Sequence, residues 1–233
     1  MSALFVTGTD TGVGKTTVSC ALLRAAVASG LRAVGLKPAE TGCALAQGEL
    51  WPADARALQA AGNLELPLDV VCPYRYREPL APGIAAAREG GLISLQHIAR
   101  CVATARALQP DVLLVEGAGG LLVPISDATT MADLARLLAL PVLIVAREGL
   151  GTINHTALTV EVARQRGLHV HGVVLCCATE TTASARDVQD NVAAIERLTA
   201  TSVFGVLSRG ARPDATRDLD LARLLGPAFG AGA

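Results

Sequence analysis

The sequence predicts an α/β fold, a parallel sheet flanked by helices on both faces, and three observations predict it. Six short Val/Leu/Ile-rich runs alternate with stretches of helical periodicity. The runs carry almost no charge, as strands buried on both faces must. Alternation at this rhythm requires right-handed crossovers, which set successive strands parallel and lay helices over both faces. Hydrophobic residues make up 51% of the 233 residues, enough for a sizeable core. One domain is expected over residues 1–225, with 226–233 a frayed tail.

The elements follow in order. Ala3 to Thr7 is the first apolar run, and it opens onto a glycine-rich turn leading into a helix from Lys15 to Ser29. Ala33 to Lys37 is the second strand and Ala53 to Ala61 the second helix. Asn63 to Gly91, with Pro67, Pro73, Pro79 and Pro82, reads as the longest loop-like segment. Ser94 is an N-cap residue type, and after it Ile98, Cys101, Val102, Ala105 and Leu108 recur at helical spacing. Val112 to Glu116 is the third strand, followed by a helix over Met131 to Leu138. Strands over Val142 to Ala146, Val170 to Cys176 and Val203 to Val206 then alternate with helices over Thr152 to Arg166 and Ser184 to Leu198. Ligands of such sheets gather at the carboxyl ends of the strands.

The chemistry starts at that edge. Gly8-Thr9-Asp10-Thr11-Gly12-Val13-Gly14-Lys15-Thr16-Thr17 joins a strand to a helix start, the layout of a phosphate-binding loop. Glycines let backbone N–H groups turn inward around phosphate oxygens, and the helix N-terminus adds its partial positive charge. Lys15 would reach the terminal phosphates and the Thr16 hydroxyl would ligate Mg²⁺. The fold expected is therefore of the P-loop nucleoside triphosphate hydrolase type. Lys37 ends the second strand, and Glu116 ends the third, ahead of Gly117-Ala118-Gly119-Gly120. Either residue alone would pass for a solvated strand-end charge. Beside a phosphate loop, an acid at the end of an apolar strand suits Mg²⁺, which takes one or two carboxylates plus phosphates and water. Asp54, near a helix start, would ordinarily serve the helix dipole. Gly149-Leu150-Gly151 leads into the helix at Thr152, either an anion site built on free N–H groups or an ordinary glycine start to a helix.

Composition excludes other classes. The 20 basic and 21 acidic side chains leave a net charge of −1, so nothing favours nucleic acid or an anionic membrane. The longest apolar run, Leu137 to Ala146, contains Pro141 and falls short of the ~18 residues of a spanning helix. A soluble, cytoplasmic protein is expected. The six cysteines form no Cys-x-x-Cys pair and read as reduced thiols. His169 and His171 lack a third ligand for a metal.

The motifs from Gly8 to Thr16, Leu36-Lys37-Pro38 with Thr41-Gly42, Val115 to Gly120, and Leu150-Gly151-Thr152-Ile153-Asn154-His155 together resemble the dethiobiotin synthetase family, in its order and near its usual positions. The resemblance implies an ATP- and Mg²⁺-dependent ligase that closes a cyclic urea on 7,8-diaminononanoate with CO₂, through a carbamate and a carbamic-phosphoric anhydride. It implies catalytic roles for Lys37 and Lys15, and metal ligation by Thr16, Asp54 and Glu116. The nucleotide would lie against Gly12, Val13, Gly14, Lys15, Thr16, Thr17, Asp54, Glu116, Gly117, Ala118 and Gly119, with Cys176, Cys177 and Ser208 near its base. Thr41, Gly151, Thr152, Ile153 and Asn154 would bind the diamine carboxylate substrate, the last four across the interface of a homodimer.

The chain departs from that family's pattern where an asparagine commonly ends the strand and reads the adenine edge. Cys176 stands there instead. The usual proline-containing base-side loop is also unmatched around Gly205-Val206-Leu207-Ser208-Arg209. Three other P-loop readings remain open, one of them a binding-only GTPase module, against which stands the lack of an Asn-Lys-x-Asp guanine-reading sequence. A regulatory ATPase of the partitioning or metal-delivery type shares the Gly-Val-Gly-Lys-Thr-Thr ending but usually has lysine at the position of Asp10. A related corrin amidotransferase ligase would need a further glutaminase domain, for which 233 residues leave little room.

Overall fold

The computed structural model describes residues 1–177, 184–207 and 219–226. Its main sheet has six strands: β1 (Ser2–Gly8), β2 (Ala33–Leu36), β7 (Val112–Gly120), β8 (Val142–Arg147), β9 (Val170–Cys176) and β10 (Val203–Leu207). They lie in the order β10-β9-β8-β1-β7-β2 and every pairing is parallel. Helices α1 (Lys15–Ala28), α2 (Ala53–Ala61), α5 (Leu95–Ala107), α6 (Met131–Leu138), α7 (Thr152–Gln165), α8 (Ala185–Thr199) and α9 (Leu221–Leu225) join or follow these strands.

Alternating strand residues feed two cores. Phe5, Leu113, Val115, Ile144 and Val173 meet Ile98, Val102, Met131, Leu134 and Val160 of α5, α6 and α7 on one face. Leu4, Val6, Leu114, Val145 and Val174 meet Val18, Leu22, Leu23 and Leu58 of α1 and α2 on the other. That division is the period-2 alternation of strands covered on both sides. Ser94 accepts a hydrogen bond from His97 N at 3.2 Å and so caps α5.

Three expectations need correction. The segment from Asn63 to Gly91 is not one loop: it holds α3 (Leu68–Val71), β6 (Tyr74–Arg75) and α4 (Pro82–Arg88). Two of its prolines mark helix starts, Pro67 at the N-cap of α3 and Pro82 inside the first turn of α4, where a missing N–H loses nothing. Between β2 and α2 lie β3 (Ala39–Glu40), which pairs with β6, and a hairpin of β4 (Ala44–Ala46) with β5 (Glu49–Trp51). Strand β7 also runs past Glu116 to Gly120, because Gly120 comes into register with Gly8 of β1. Residues 227–233 of the expected tail lie outside the described residues.

Candidate active site

Sheet order brings the candidate residues together. Because β7 lies between β1 and β2, Glu116 is opposite Val6, and Leu36 is opposite Val115. Lys37, one residue beyond Leu36, therefore ends beside Glu116 at the carboxyl edge, where the loop after β1 turns into α1. That turn depends on glycine. Gly12 and Gly14 have φ of 73° and 96°, in the left-handed region that L side chains rarely adopt. A Cβ on Gly14 would also overlap the Cys176 sulfur.

The charged groups form one network. Lys37 Nζ donates to Glu116 Oε1 at 2.6 Å and to the Gly117 carbonyl at 3.3 Å, and lies 3.1 Å from Asp54 Oδ2. The Thr16 hydroxyl donates to the same Glu116 Oε1 at 2.7 Å. Glu116 is fully buried, and its Oε2 is buried with no hydrogen-bond partner. Burial pulls the Lys37 ammonium toward neutrality, but Glu116 and Asp54 outweigh it and hold its pKa above the ordinary lysine value. Lys15 has no such escort. Its Nζ donates to the Asp10 carbonyl at 3.1 Å, while burial first, then the charge of Lys37, lower its pKa to about 8.

Lys15, Lys37 and Asp54 face a cavity of about 450 Å³. Gly12, Gly14, Lys15, Thr16 and Thr17 line it from the loop, and Lys37, Thr41 and Asp54 from the β2 side. Ala118 and Gly119 line it beyond β7, with Cys176 and Cys177 at the end of β9. Val13 packs into the core instead, and Glu116 and Gly117 border a small apolar cavity next to it. Gly151, Thr152, Ile153 and Asn154 do not line the main cavity: Asn154 is exposed, while Thr152 is buried with its Oγ1 lacking a partner. Ser208 lies outside the described residues.

The donors suit a hard divalent cation. Two carboxylates and a hydroxyl converge, one carboxylate oxygen is orphaned, and the open cavity leaves room for phosphates and water to complete the shell.

One buried acid at the site escapes the motifs. Glu40 lines the cavity, is 7% exposed, and accepts from Asp54 N and Ala55 N at 2.9 Å each. Burial raises its pKa against the pull of those two hydrogen bonds. The signal available was Pro52 ahead of α2, which has no side-chain acceptor for the first turn and so calls for one from elsewhere. Asp54, a helix-dipole residue by position alone and a metal ligand by the resemblance, has its Oδ2 3.1 Å from Lys37 Nζ.

Comparison with known proteins agrees with this geometry. Residues 2–214 match the AAA domain family. The ATP-dependent dethiobiotin synthetase BioD of Anaeromyxobacter dehalogenans (strain 2CP-1 / ATCC BAA-258) is 52% identical over 99% of this chain and 98% of that protein. The protein of that description from Anaeromyxobacter sp. (strain K) is 58% identical over 75% of this chain and 76% of its own length. The one from Ralstonia nicotianae (strain ATCC BAA-1114 / GMI1000) is 40% identical over 95% and 96%. Among solved structures, the MinD cell division protein of Aquifex aeolicus aligns with a TM-score of 0.56 over 97% of this chain and 88% of that chain. At 15% identity that likeness speaks for the fold alone.

Proposed function

The chain belongs to the dethiobiotin synthetase family, ATP-dependent ligases of biotin biosynthesis, and from that membership we propose how its residues divide the work. One amine of 7,8-diaminononanoate adds to CO₂ and loses a proton, giving a carbamate. A carbamate oxygen attacks the γ-phosphorus and ADP leaves. The second amine then attacks the carbonyl carbon, loses its proton and expels phosphate, closing the ring. Both phosphate steps build negative charge on oxygens, so the site needs cations held in place more than it needs a nucleophile.

The observation that carries this reading is the buried Lys37 ammonium, gripped at 2.6 Å by Glu116 and 3.1 Å by Asp54 at the edge of the cavity. Preorganised there, Lys37 stabilises the charge that grows on the transferring phosphoryl group, and Lys15 holds the terminal phosphates. Thr16, Asp54 and Glu116 would hold Mg²⁺, which when bound neutralises phosphate charge. Thr41 lines the same cavity and would hydrogen-bond the carbamate. Cys176 and Cys177 bound the base end. The free cysteines suit a reducing cytoplasm. Mixing the protein with 7,8-diaminononanoate, bicarbonate, Mg²⁺ and ATP should give dethiobiotin, ADP and phosphate in equal amounts. ADP and phosphate without dethiobiotin would sink the assignment in favour of a regulatory ATPase.

The substrate carboxylate calls for a second copy. The N-terminus of α7, an anion site by its free N–H groups, carries a fully exposed Leu150 and does not line its own cavity. A homodimer would bring Gly151 to Asn154 of one chain to the cavity of the other. Mixing inactive Lys37→Ala chains with inactive Asn154 variants should then restore part of the activity, since one site of each hybrid carries neither defect. Stable hybrids that stay dead would mean both residues serve one chain.

A further inference from the structure

We propose that Glu40 is a positioning residue for the metal site, holding the first turn of α2 against the Lys37–Thr41 segment so that the Asp54 carboxylate faces Lys37. The inference rests on the reading of Asp54 as a metal ligand given above.

Three observations carry it. First, α2 has no cap of its own: Pro52 stands at its N-cap and makes no side-chain hydrogen bond. The N–H groups of Asp54 and Ala55 go to Glu40 Oε1 and Oε2, both at 2.9 Å. An aspartate in a first turn ordinarily bends toward such donors. With Glu40 occupying them, the Asp54 side chain is released, and its Oδ2 lies 3.1 Å from Lys37 Nζ. Second, Glu40 is itself held. Its backbone lies in β3, in register with Arg75 of β6, and its carbonyl accepts from Tyr76 N at 2.9 Å. Third, the link spans a long excursion. Residues 41–53 leave the site through the β4–β5 hairpin, whose strands are largely exposed, and return at Asp54. Leu58 anchors the middle of α2 on β2 beside Gly35, and the Glu40 carboxylate ties down its first turn, where Asp54 sits. A partner that orients a metal ligand in this way typically contributes about 10–100-fold to metal affinity.

A helix cap alone would stabilise the fold without tuning the metal, and the test separates the two roles. Mn²⁺ binding is followed by electron paramagnetic resonance on the full chain with a non-hydrolysable ATP analogue, beside the analogue's own affinity in the absence of metal and thermal stability. Glu40→Ala should weaken Mn²⁺ binding by about tenfold or more while leaving metal-free analogue binding near its original value. Adding Pro52→Ser supplies a local cap to the same donors. That double variant should regain thermal stability yet keep the weak Mn²⁺ binding. If it regains both, or if Glu40→Ala binds Mn²⁺ normally, Glu40 is a cap or a bystander and the inference is overturned. Glu40→Gln, which sets an NH₂ against one of the two donors, carries the same test should the alanine variant not fold, with a loss of several-fold expected and normal binding overturning the inference. Asp54→Asn run in parallel distinguishes the failures: normal Mn²⁺ binding there overturns the metal reading itself, and this inference with it.

Discussion

At the end assigned to the phosphates the cavity is lined by Lys15, Lys37 and Asp54, with Lys37 ion-paired within 3.1 Å to Asp54 and to the fully buried Glu116 behind it. At the other end the described boundary is Cys176, 1% exposed beneath Gly14, and the half-buried Cys177. Burial pushes the Cys176 thiol up to about 11, so it stays neutral and offers a weak donor. One end stores charge in fixed geometry, which suits transition-state stabilisation because no reorganisation is needed when the reaction builds charge. Among the described residues, the other offers shape and little polar readout. The contrast separates what the site does from what it selects, and each end can be challenged on its own.

The largest effect is expected at Lys37. Lys37→Ala removes the preorganised cation and leaves Glu116 and Asp54 facing each other, so turnover should fall by about a hundredfold or more, equivalent to about 2.7 kcal/mol of transition-state stabilisation. Nucleotide binding should change much less. Steady-state kinetics checks this: near-normal turnover would remove Lys37 from the mechanism and dissolve the contrast between the two ends.

Glu116→Gln tests the metal half of the same end. An amide offers less charge to a hard cation, so the Mg²⁺ concentration for half-maximal activity should rise by about tenfold or more. An unchanged requirement would count against Glu116 as a ligand and turn its contact with Thr16 into a structural one.

Lys15 supplies a pH-dependent effect of similar or smaller size. In the ligand-free protein its pKa is about 8 rather than 10.5, so between those values the unfolded chain binds more protons and ligand-free stability rises with pH. Nucleotide binding runs the opposite way, because phosphates favour the protonated amine. Affinity should be full below about 8 and fall as pH rises, by about tenfold one unit higher, with proton uptake on binding measurable by calorimetry in buffers of different ionisation enthalpy. A flat affinity from pH 7 to 9 without proton uptake would mean that Lys15 stays charged throughout.

The phosphate end was the legible one. Its residues follow buried strands whose Val/Leu/Ile runs announce themselves, and β9 over Val170–Cys176 and α6 over Met131–Leu138 fall where periodicity puts them. Lys37 and Glu116 were readable because strand ends are where such sheets keep their chemistry. The β4–β5 hairpin was not, since Ala44–Ala46 is exposed throughout and too short to show alternation. Helices α3 and α4 hid behind prolines that serve as their starts. Glu40 was hard to read for another reason: its partners are backbone N–H groups of α2, and the only hint of them is Pro52, which leaves that helix without a cap of its own.

The smallest effect expected is at the base end, and it is a near-absence of discrimination. Phosphate contacts from the Gly12–Thr17 loop, as proposed, would be the same for every nucleoside triphosphate. Base choice needs matched donors and acceptors, because a polar site built for adenine strands its own groups unpaired when another base enters. Where the family commonly has an amide, Cys176 is buried, and its sulfur packs where a Gly14 side chain would be. The sulfur therefore lies close against the loop and offers a base edge at most a weak donor. Cys177 spends its N–H on the Leu207 carbonyl at 3.0 Å, which removes one backbone donor from readout. Specificity constants for ATP, CTP and GTP, measured at matched subsaturating concentrations, should lie within about tenfold of one another. A preference for ATP beyond about a hundredfold would show that other groups read adenine in place of the missing amide, and that the base end is as polar in function as the phosphate end.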